Sequence, residues 1–92
     1  MKYQIIFTAS AEREIRKLPA DGQDEVFEKV QNLGDNPRPH GYKRLTNFKV
    51  PNLKFKPLYR IRVGDYRIVY AIQDNIITIT VAKIAHRKEV YE

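Results

Sequence analysis

Apolar and polar residues alternate in the C-terminal half of the chain with the two-residue period of β-strands. The alternation predicts strands over residues 58–63 and 66–72, joined by a two-residue turn at Gly64 and Asp65. Residues 76–84 form the most β-prone segment of the chain and predict a further strand. The C-terminal half therefore indicates an antiparallel sheet.

The two-residue turn fixes the register of the first two of these strands. Arg62 is expected directly opposite Arg67, and Arg60 opposite Val69. Like charges that face each other across a strand pair destabilise a sheet. Three arginines on one face of a hairpin therefore suggest a surface that meets an anion.

The N-terminal half shows the spacing of helices after one short strand. Residues 2–8 are apolar and β-branched, which predicts an opening strand. A helix follows, with Thr8 or Ser10 as its N-terminal cap. Pro19 is expected to end it, because proline cannot continue a helical hydrogen-bond ladder.

A second helix is predicted to begin near Ala20 or Asp21 and to stop at Gly34. Residues 43–58 mix lysines with apolar positions and contain two prolines, so only a short edge strand near residues 44–48 is predicted there. The two helices form a hairpin, and the second contributes an apolar stripe of Val26, Phe27, Val30 and Leu33.

The element order β-α-α-β-β-β predicts an α+β fold in a single domain over residues 1–92. We expect an N-terminal strand and a helical hairpin packed on one face of a three- to four-stranded antiparallel sheet. The helices should cover the face made of Tyr59, Ile61, Val63, Tyr66, Ile68 and Tyr70. The opposite face should expose Arg60, Arg62, Arg67 and Val69 to solvent.

Charge is distributed unevenly along the chain, whose formal net charge is +6. Residues 1–42 hold 6 Lys/Arg and 7 Asp/Glu, whereas residues 43–92 hold 11 and 4. A basic patch favours phosphate backbones, although anionic membranes and acidic proteins attract it too. The absence of cysteine excludes disulfides and thiolate metal sites. With no apolar run long enough to cross a bilayer, we expect a cytoplasmic protein without a membrane partner.

The arginine face has three interpretations from the residues alone. The arginines can pair with carboxylates such as Glu89, they can grip phosphates through forked hydrogen bonds, or they can stabilise the phosphorane of RNA cleavage. Cleavage also needs proton transfer and a surface for the bases. His86 can transfer protons near neutral pH, and Tyr91 can stack on a splayed base. The residues alone favour phosphate binding over catalysis.

Three segments resemble the RelE branch of the RelE/ParE toxin superfamily. They are FTASAEREIRKLP over residues 7–19, PLYRIRVGDYRIVYAI over residues 57–72 and VAKIAHRKEVY over residues 81–91. The resemblance implies a microbial-RNase-like toxin of a type II toxin–antitoxin system that cuts messenger RNA in the ribosomal A site. It implies 2′-hydroxyl attack without a metal or small-molecule cofactor, with ribosome, messenger RNA and a cognate antitoxin as partners.

The resemblance also assigns roles to particular residues. Basic positions before the turn match Arg60 and Arg62, and the arginine that stabilises the phosphorane matches Arg67. The position that opens the tail motif matches His86 or Arg87, and the stacking aromatic near the end is Tyr91. Catalytic residues are thus expected at Arg60, Arg62, Arg67, His86, Arg87 and Tyr91.

One departure from the family concerns the general base. The best-known RelE members carry lysines where this chain has Arg60 and Arg62, and arginine holds its proton too tightly to act as a base. Either His86 takes the base role with Arg87 assisting the leaving group, or the ribosome positions the 2′-hydroxyl and the toxin supplies charge and geometry. We expect the first.

Two other functions stay open at this point. A ParE-like toxin would poison DNA gyrase without cutting RNA, but such chains generally lack the basic strand and tail residues. A non-catalytic relative would only bind RNA or its antitoxin, and the missing lysine base keeps this alternative open.

Overall fold

The structure, a computed structural model, describes residues 2–50, 53–54 and 57–90. Two helices and five strands follow one another in the order β1 Gln4–Phe7, α1 Ala9–Arg16, α2 Ala20–Asp35, β2 Lys43–Leu45, β3 Leu58–Val63, β4 Tyr66–Gln73 and β5 Thr78–His86. Short 3-10 turns cover Asp74–Ile76 and Arg87–Glu89. The predicted α+β class is confirmed.

The sheet is larger than predicted because the N-terminal strand joins it. The strand order is β1-β5-β4-β3-β2, and every pairing is antiparallel except that of β1 with β5. In that parallel pairing Gln4 lies opposite Thr78 and Phe7 opposite Val81. Strand alternation reports which residues share a face but not which distant strand becomes a neighbour, so the sequence did not reveal this edge.

Helix α1 begins at the predicted cap and covers the edge of β5 where β1 ends. Thr8 Oγ1 accepts a hydrogen bond from the Ala11 N–H at 3.1 Å. The Glu14 carboxylate then accepts from the Ile84 N–H and from Lys83 Nζ, each at 2.9 Å. One helix carboxylate thus satisfies a backbone donor beyond the reach of β1 and ties α1 to the sheet.

Helix α2 continues through Gly34, where the sequence predicted its end, and its cap is Asn36. Gly34 is buried against β1, and its carbonyl accepts from the Tyr3 N–H at 2.7 Å. A Cβ at this position would lie 3.2 Å from the Tyr3 carbonyl oxygen, which is a tight contact. The glycine therefore serves the close approach of a strand rather than a helix stop.

The apolar core lies between the helices and one face of the sheet, as predicted. It contains Ala11, Ile15, Val26, Val30, Leu33, Ile61, Val63, Ile68, Tyr70, Ile79, Val81 and Ile84. Phe27 was expected in the helical stripe, but it is 44% exposed and contacts the Phe7 ring edge-on at 6.1 Å.

Part of the opposite face of the sheet is covered, which corrects the prediction that Arg60 and Val69 are open to solvent, whereas Arg62 is exposed and Arg67 has intermediate burial. Val69 is 0% exposed and Arg60 only 1%. A second apolar cluster lies here, made of Leu45, Leu58, Val69, Ala71, Ala85 and Val90, with Phe48, Val50 and Leu53 packed against it. The cover comes from the segment after β2 and from the tail, neither of which has a periodic pattern that predicts burial.

Candidate active site

The hairpin of β3 and β4 has the predicted turn and register. Val63 pairs with Tyr66 across Gly64 and Asp65, and Arg62 lies opposite Arg67. Gly64 has a φ of +58°, a conformation that glycine adopts without strain. The opposed arginines are therefore a real feature of this sheet face.

Arg60 differs from the other two hairpin arginines because it is almost fully buried. Its Nη1 donates to the Gly41 carbonyl oxygen at 3.2 Å. A guanidinium that is 1% exposed and fastened to a loop holds structure together and presents little surface to a ligand. Arg62 is exposed, and Arg67 has intermediate burial.

Arg67 is held by the turn that precedes it. Its Nη1 donates to the Gly64 carbonyl oxygen at 3.3 Å and to the Tyr66 carbonyl oxygen at 3.0 Å. Two backbone contacts restrict the rotamers of a long side chain, so its charge is presented in a defined place. Such preorganisation is what stabilisation of a developing anion requires.

Arg87 is brought to the same turn from the tail. Its N–H donates to the Asp65 carbonyl oxygen at 2.7 Å, and its Nε lies 3.8 Å from Asp65 Oδ1. The side chain is 58% exposed. The hairpin turn therefore gathers Arg67 and Arg87, next to Arg62, at one end of the sheet. The sequence did not indicate that Asp65 contacts the tail, because an aspartate in a two-residue turn needs no further explanation.

His86 lies on the other side of the strand from this group. It pairs with Tyr66, and the two rings meet edge-on with centroids 6.2 Å apart. A Cβ on Gly22 of α2 would lie 3.8 Å from the Tyr66 ring, so this pair faces the helices. The sequence predicted that His86 acts together with the arginines, whereas the structure places its ring on the opposite face of the sheet from them.

The hydrogen bonds of His86 also define its tautomer. Nδ1 accepts from the Lys88 N–H at 3.3 Å, and the His86 N–H donates to Glu89 Oε1 at 3.1 Å, which together cap the Arg87–Glu89 turn. With its Nδ1 lone pair engaged, the neutral ring carries its proton on Nε2. In this conformation His86 offers a donor and no acceptor, so it is not arranged as a base.

Tyr91, the predicted stacking residue, lies outside the described residues. Its neighbour Val90 is 5% exposed in the second cluster. Within the described ranges, no group of three or more His, Cys, Asp and Glu side chains is placed to hold a metal ion. A search of the same ranges finds no helix long and apolar enough to span a membrane.

Residues 36–42 form a loop that is anchored at two further points besides the Arg60 contact with Gly41. Tyr70 Oη donates to the Pro37 carbonyl oxygen at 2.7 Å, and burial raises the pKa of this phenol. Arg38 Nη2 lies 2.9 Å from Asp74 Oδ2, and Tyr3 Oη donates to Asp74 Oδ1. The Arg38 hydrogen bond, with help from Tyr3, holds the pKa of Asp74 below its usual range.

Comparison with known proteins identifies the family. A family model described as the ParE toxin of the type II toxin–antitoxin system parDE matches residues 5–91. Toxin RelE of Mycobacterium tuberculosis is 34% identical over 90 residues, covering 97% of this chain and 86% of the relative. Toxin RelG of the same organism is 30% identical over 91 residues, covering 99% and 98%. The chain belongs to the RelE/ParE superfamily of type II toxins.

A solved toxin structure agrees with this assignment. A chain of the toxin–antitoxin complex RelBE2 from M. tuberculosis has a TM-score of 0.76 and 28% identity to this toxin, covering 95% of this chain and 100% of that one. The RelE-like membership and the fold inferred from the hairpin and tail motifs are both confirmed.

Proposed function

We propose that this toxin is a metal-independent endoribonuclease that cuts messenger RNA in the ribosomal A site. The observation that carries the proposal is the group of Arg62, Arg67 and Arg87 around the hairpin turn, with Arg67 and Arg87 each held by the turn's own backbone. These are the positions at which the RelE resemblance predicts charge around a scissile phosphate.

In the proposed reaction the 2′-oxygen attacks the adjacent phosphorus and the bond to the 5′-oxygen breaks, leaving a 2′,3′-cyclic phosphate. Charge builds on the non-bridging oxygens of the phosphorane, where Arg67 and Arg62 stabilise it. Because arginine cannot accept a proton, solvent takes the proton from the 2′-hydroxyl and supplies one to the 5′-oxygen. Arg87, exposed beside the turn, assists the leaving oxygen by donating a hydrogen bond.

The general base cannot be assigned by matching positions with the family, because arginines occupy the family's lysine positions. His86 has its Nδ1 engaged with Lys88 and its ring against Tyr66, which argues against the base role expected from sequence. The alternative gains support: the ribosome positions the 2′-hydroxyl and the toxin contributes charge and orientation. Arg60, being buried, acts by positioning β3 against the loop at Gly41.

The proposal includes an antitoxin partner. The chain similar to this toxin in M. tuberculosis was solved as part of a toxin–antitoxin complex, and the +6 charge suits an acidic wrapping segment. The described apolar side chains Phe27 and Ile6, both near 45% exposed, offer further area for such a partner.

A mapping of messenger RNA 5′-ends after induction tests the function. Translation-dependent, in-frame cuts are expected. A matched culture with translation blocked should show none. Intact messages with arrested replication would instead support the ParE-like alternative, which the name of the matching family model favours. Intact messages with normal replication would indicate a non-catalytic binding protein.

A further inference from the structure

A cavity of about 390 Å³ opens beside β3, on the side of β3 that lies away from β4. The walls come from α2, from the loop over residues 37–42 and from the first residue of β2. Pairing between β2 and β3 ends at Lys43 and Arg60, and the next two residues of β3, Ile61 and Arg62, line the cavity. Arg62 is therefore shared between this cavity and the arginine group of the proposed active site.

The charged side chains that line the cavity are all basic. Of the described residues that line it, Lys29, Lys43 and Arg62 are exposed cations, Arg60 is a buried one, His40 adds an imidazole, and none is acidic. Helix α2 has five acidic residues and a single lysine, and that lysine is the residue that lines the cavity. The chemistry indicated is an anion with more than one oxygen.

The walls are held before any ligand arrives. Arg60 fastens Gly41 to β3, Tyr70 Oη holds the Pro37 carbonyl, and Arg38 bonds Asp74. A loop fixed at three points loses little conformational entropy on binding, which favours affinity.

The lining also suits a flat ring. Pro39, which has intermediate burial, supplies the accessible apolar surface, since Leu33 and Ile61 are buried. The exposed Asn32 side-chain amide supplies a donor and an acceptor beside it. Ligand sites occupy roughly 300–1,000 Å³, so the volume suits one nucleotide. Binding of an acidic peptide, which would use the same cations, is the competing outcome of the binding experiment.

We propose that this cavity is a second RNA subsite that binds the nucleotide next to the scissile phosphate. Lys29 and Lys43 bind its phosphate, its base lies on Pro39, and Asn32 reads the base edge. The inference rests on the proposed function, because Arg62 links the cavity to the cleavage site.

Binding of a fluorescein-labelled hexanucleotide RNA, 2′-O-methylated so that it cannot be cut, tests the subsite. Anisotropy over a range of KCl concentrations gives the affinity and its salt slope. Lys29→Gln should weaken binding about 3- to 10-fold and reduce the slope by about 0.7, the loss of one phosphate contact on a single strand. Asn32→Leu should leave the slope unchanged and lessen the preference among hexanucleotides of different base.

Lys17→Gln is the matched control, since Lys17 is exposed at the end of α1 and does not line the cavity. Equal effects of the two lysine variants would reduce the result to general charge and overturn the proposal. Unchanged RNA binding with weakened antitoxin binding in Lys29→Gln would assign the cavity to the antitoxin and also overturn it.

The two proposals fail separately. If the parent toxin cuts translated messages while Lys29→Gln binds the hexanucleotide as the parent does, the subsite is wrong and the function stands. If the parent cuts nothing while Lys29→Gln alone lowers the slope, the subsite stands as an RNA-binding site and the nuclease proposal falls.

Discussion

Each face of the sheet carries a buried apolar cluster, but helices cover one cluster and irregular segments cover the other. The first face packs against α1 and α2, whose apolar residues recur at helical spacing. The second packs against Phe48, Val50, Leu53 and Val90, which lie outside strands and α-helices. The first face is a continuous core, whereas the second combines a small core with an arginine group at its end. The arginine group thus lies where the cover is irregular.

The largest expected effect distinguishes the two cores. Ile68→Ala, on the first face, should lower the free energy of unfolding by about 2–5 kcal/mol, because helices cannot collapse into the cavity. Val69→Ala, equally buried on the second face, should cost roughly 1–2 kcal/mol, since it removes fewer carbons beneath a loop cover. Urea unfolding of both variants measures this. An equal or larger cost at Val69 would contradict the difference drawn between the faces.

Removal of the Arg67 guanidinium should affect activity and spare stability. Arg67→Ala is expected to slow ribosome-dependent cleavage about 10²–10³-fold, as loss of one preorganised oxyanion donor does. The free energy of unfolding should change by less than about 0.5 kcal/mol, because the sheet loses a repulsive neighbour of Arg62. Arg13→Ala on the exposed surface of α1 is the control. A fully active Arg67→Ala toxin would remove the arginine group from the mechanism.

The buried and exposed arginines of β3 should respond in opposite ways. Arg60→Met is expected to lower the free energy of unfolding by about 1–3 kcal/mol, because the Gly41 carbonyl loses its donor. Arg62→Met should stay within about 0.5 kcal/mol of the parent and cleave more slowly. Thermal unfolding and a cleavage assay on each variant separate the roles. A stable but inactive Arg60→Met toxin would show that Arg60 acts on the substrate directly.

The smallest expected effect is that of replacing His86, whose ring faces the helices. Its replacement tests whether His86 takes part in the chemistry. His86→Asn keeps an acceptor for the Lys88 N–H and cannot titrate near neutral pH, so it should cleave about as fast as the parent. His86→Leu should lose the cap, at a cost of about 0.5–2 kcal/mol. The pH profile of cleavage is the decisive measurement. A folded His86→Asn toxin that binds ribosomes and does not cleave would restore His86 as the proton-transfer group.

Local patterns determined much of this protein. The hairpin register followed from a two-residue turn, because such a turn leaves only one pairing of Val63 and Tyr66. The cap at Thr8 and the apolar residues of both helices followed from spacing that brings every third or fourth residue to one side. The arginine pair and the family could be inferred for the same reason, since both depend on residues close in sequence.

Tertiary structure alone decided what distant segments do to one another. The parallel pairing of β1 with β5, the burial of Arg60 and the clamp of Arg87 on Asp65 each join residues at least 19 positions apart. No local period encodes such contacts, because the energy of each depends on which surfaces the whole fold brings together. The sequence by itself determined that arginines face one another across a hairpin, and the fold decided which of them are buried and which stay exposed.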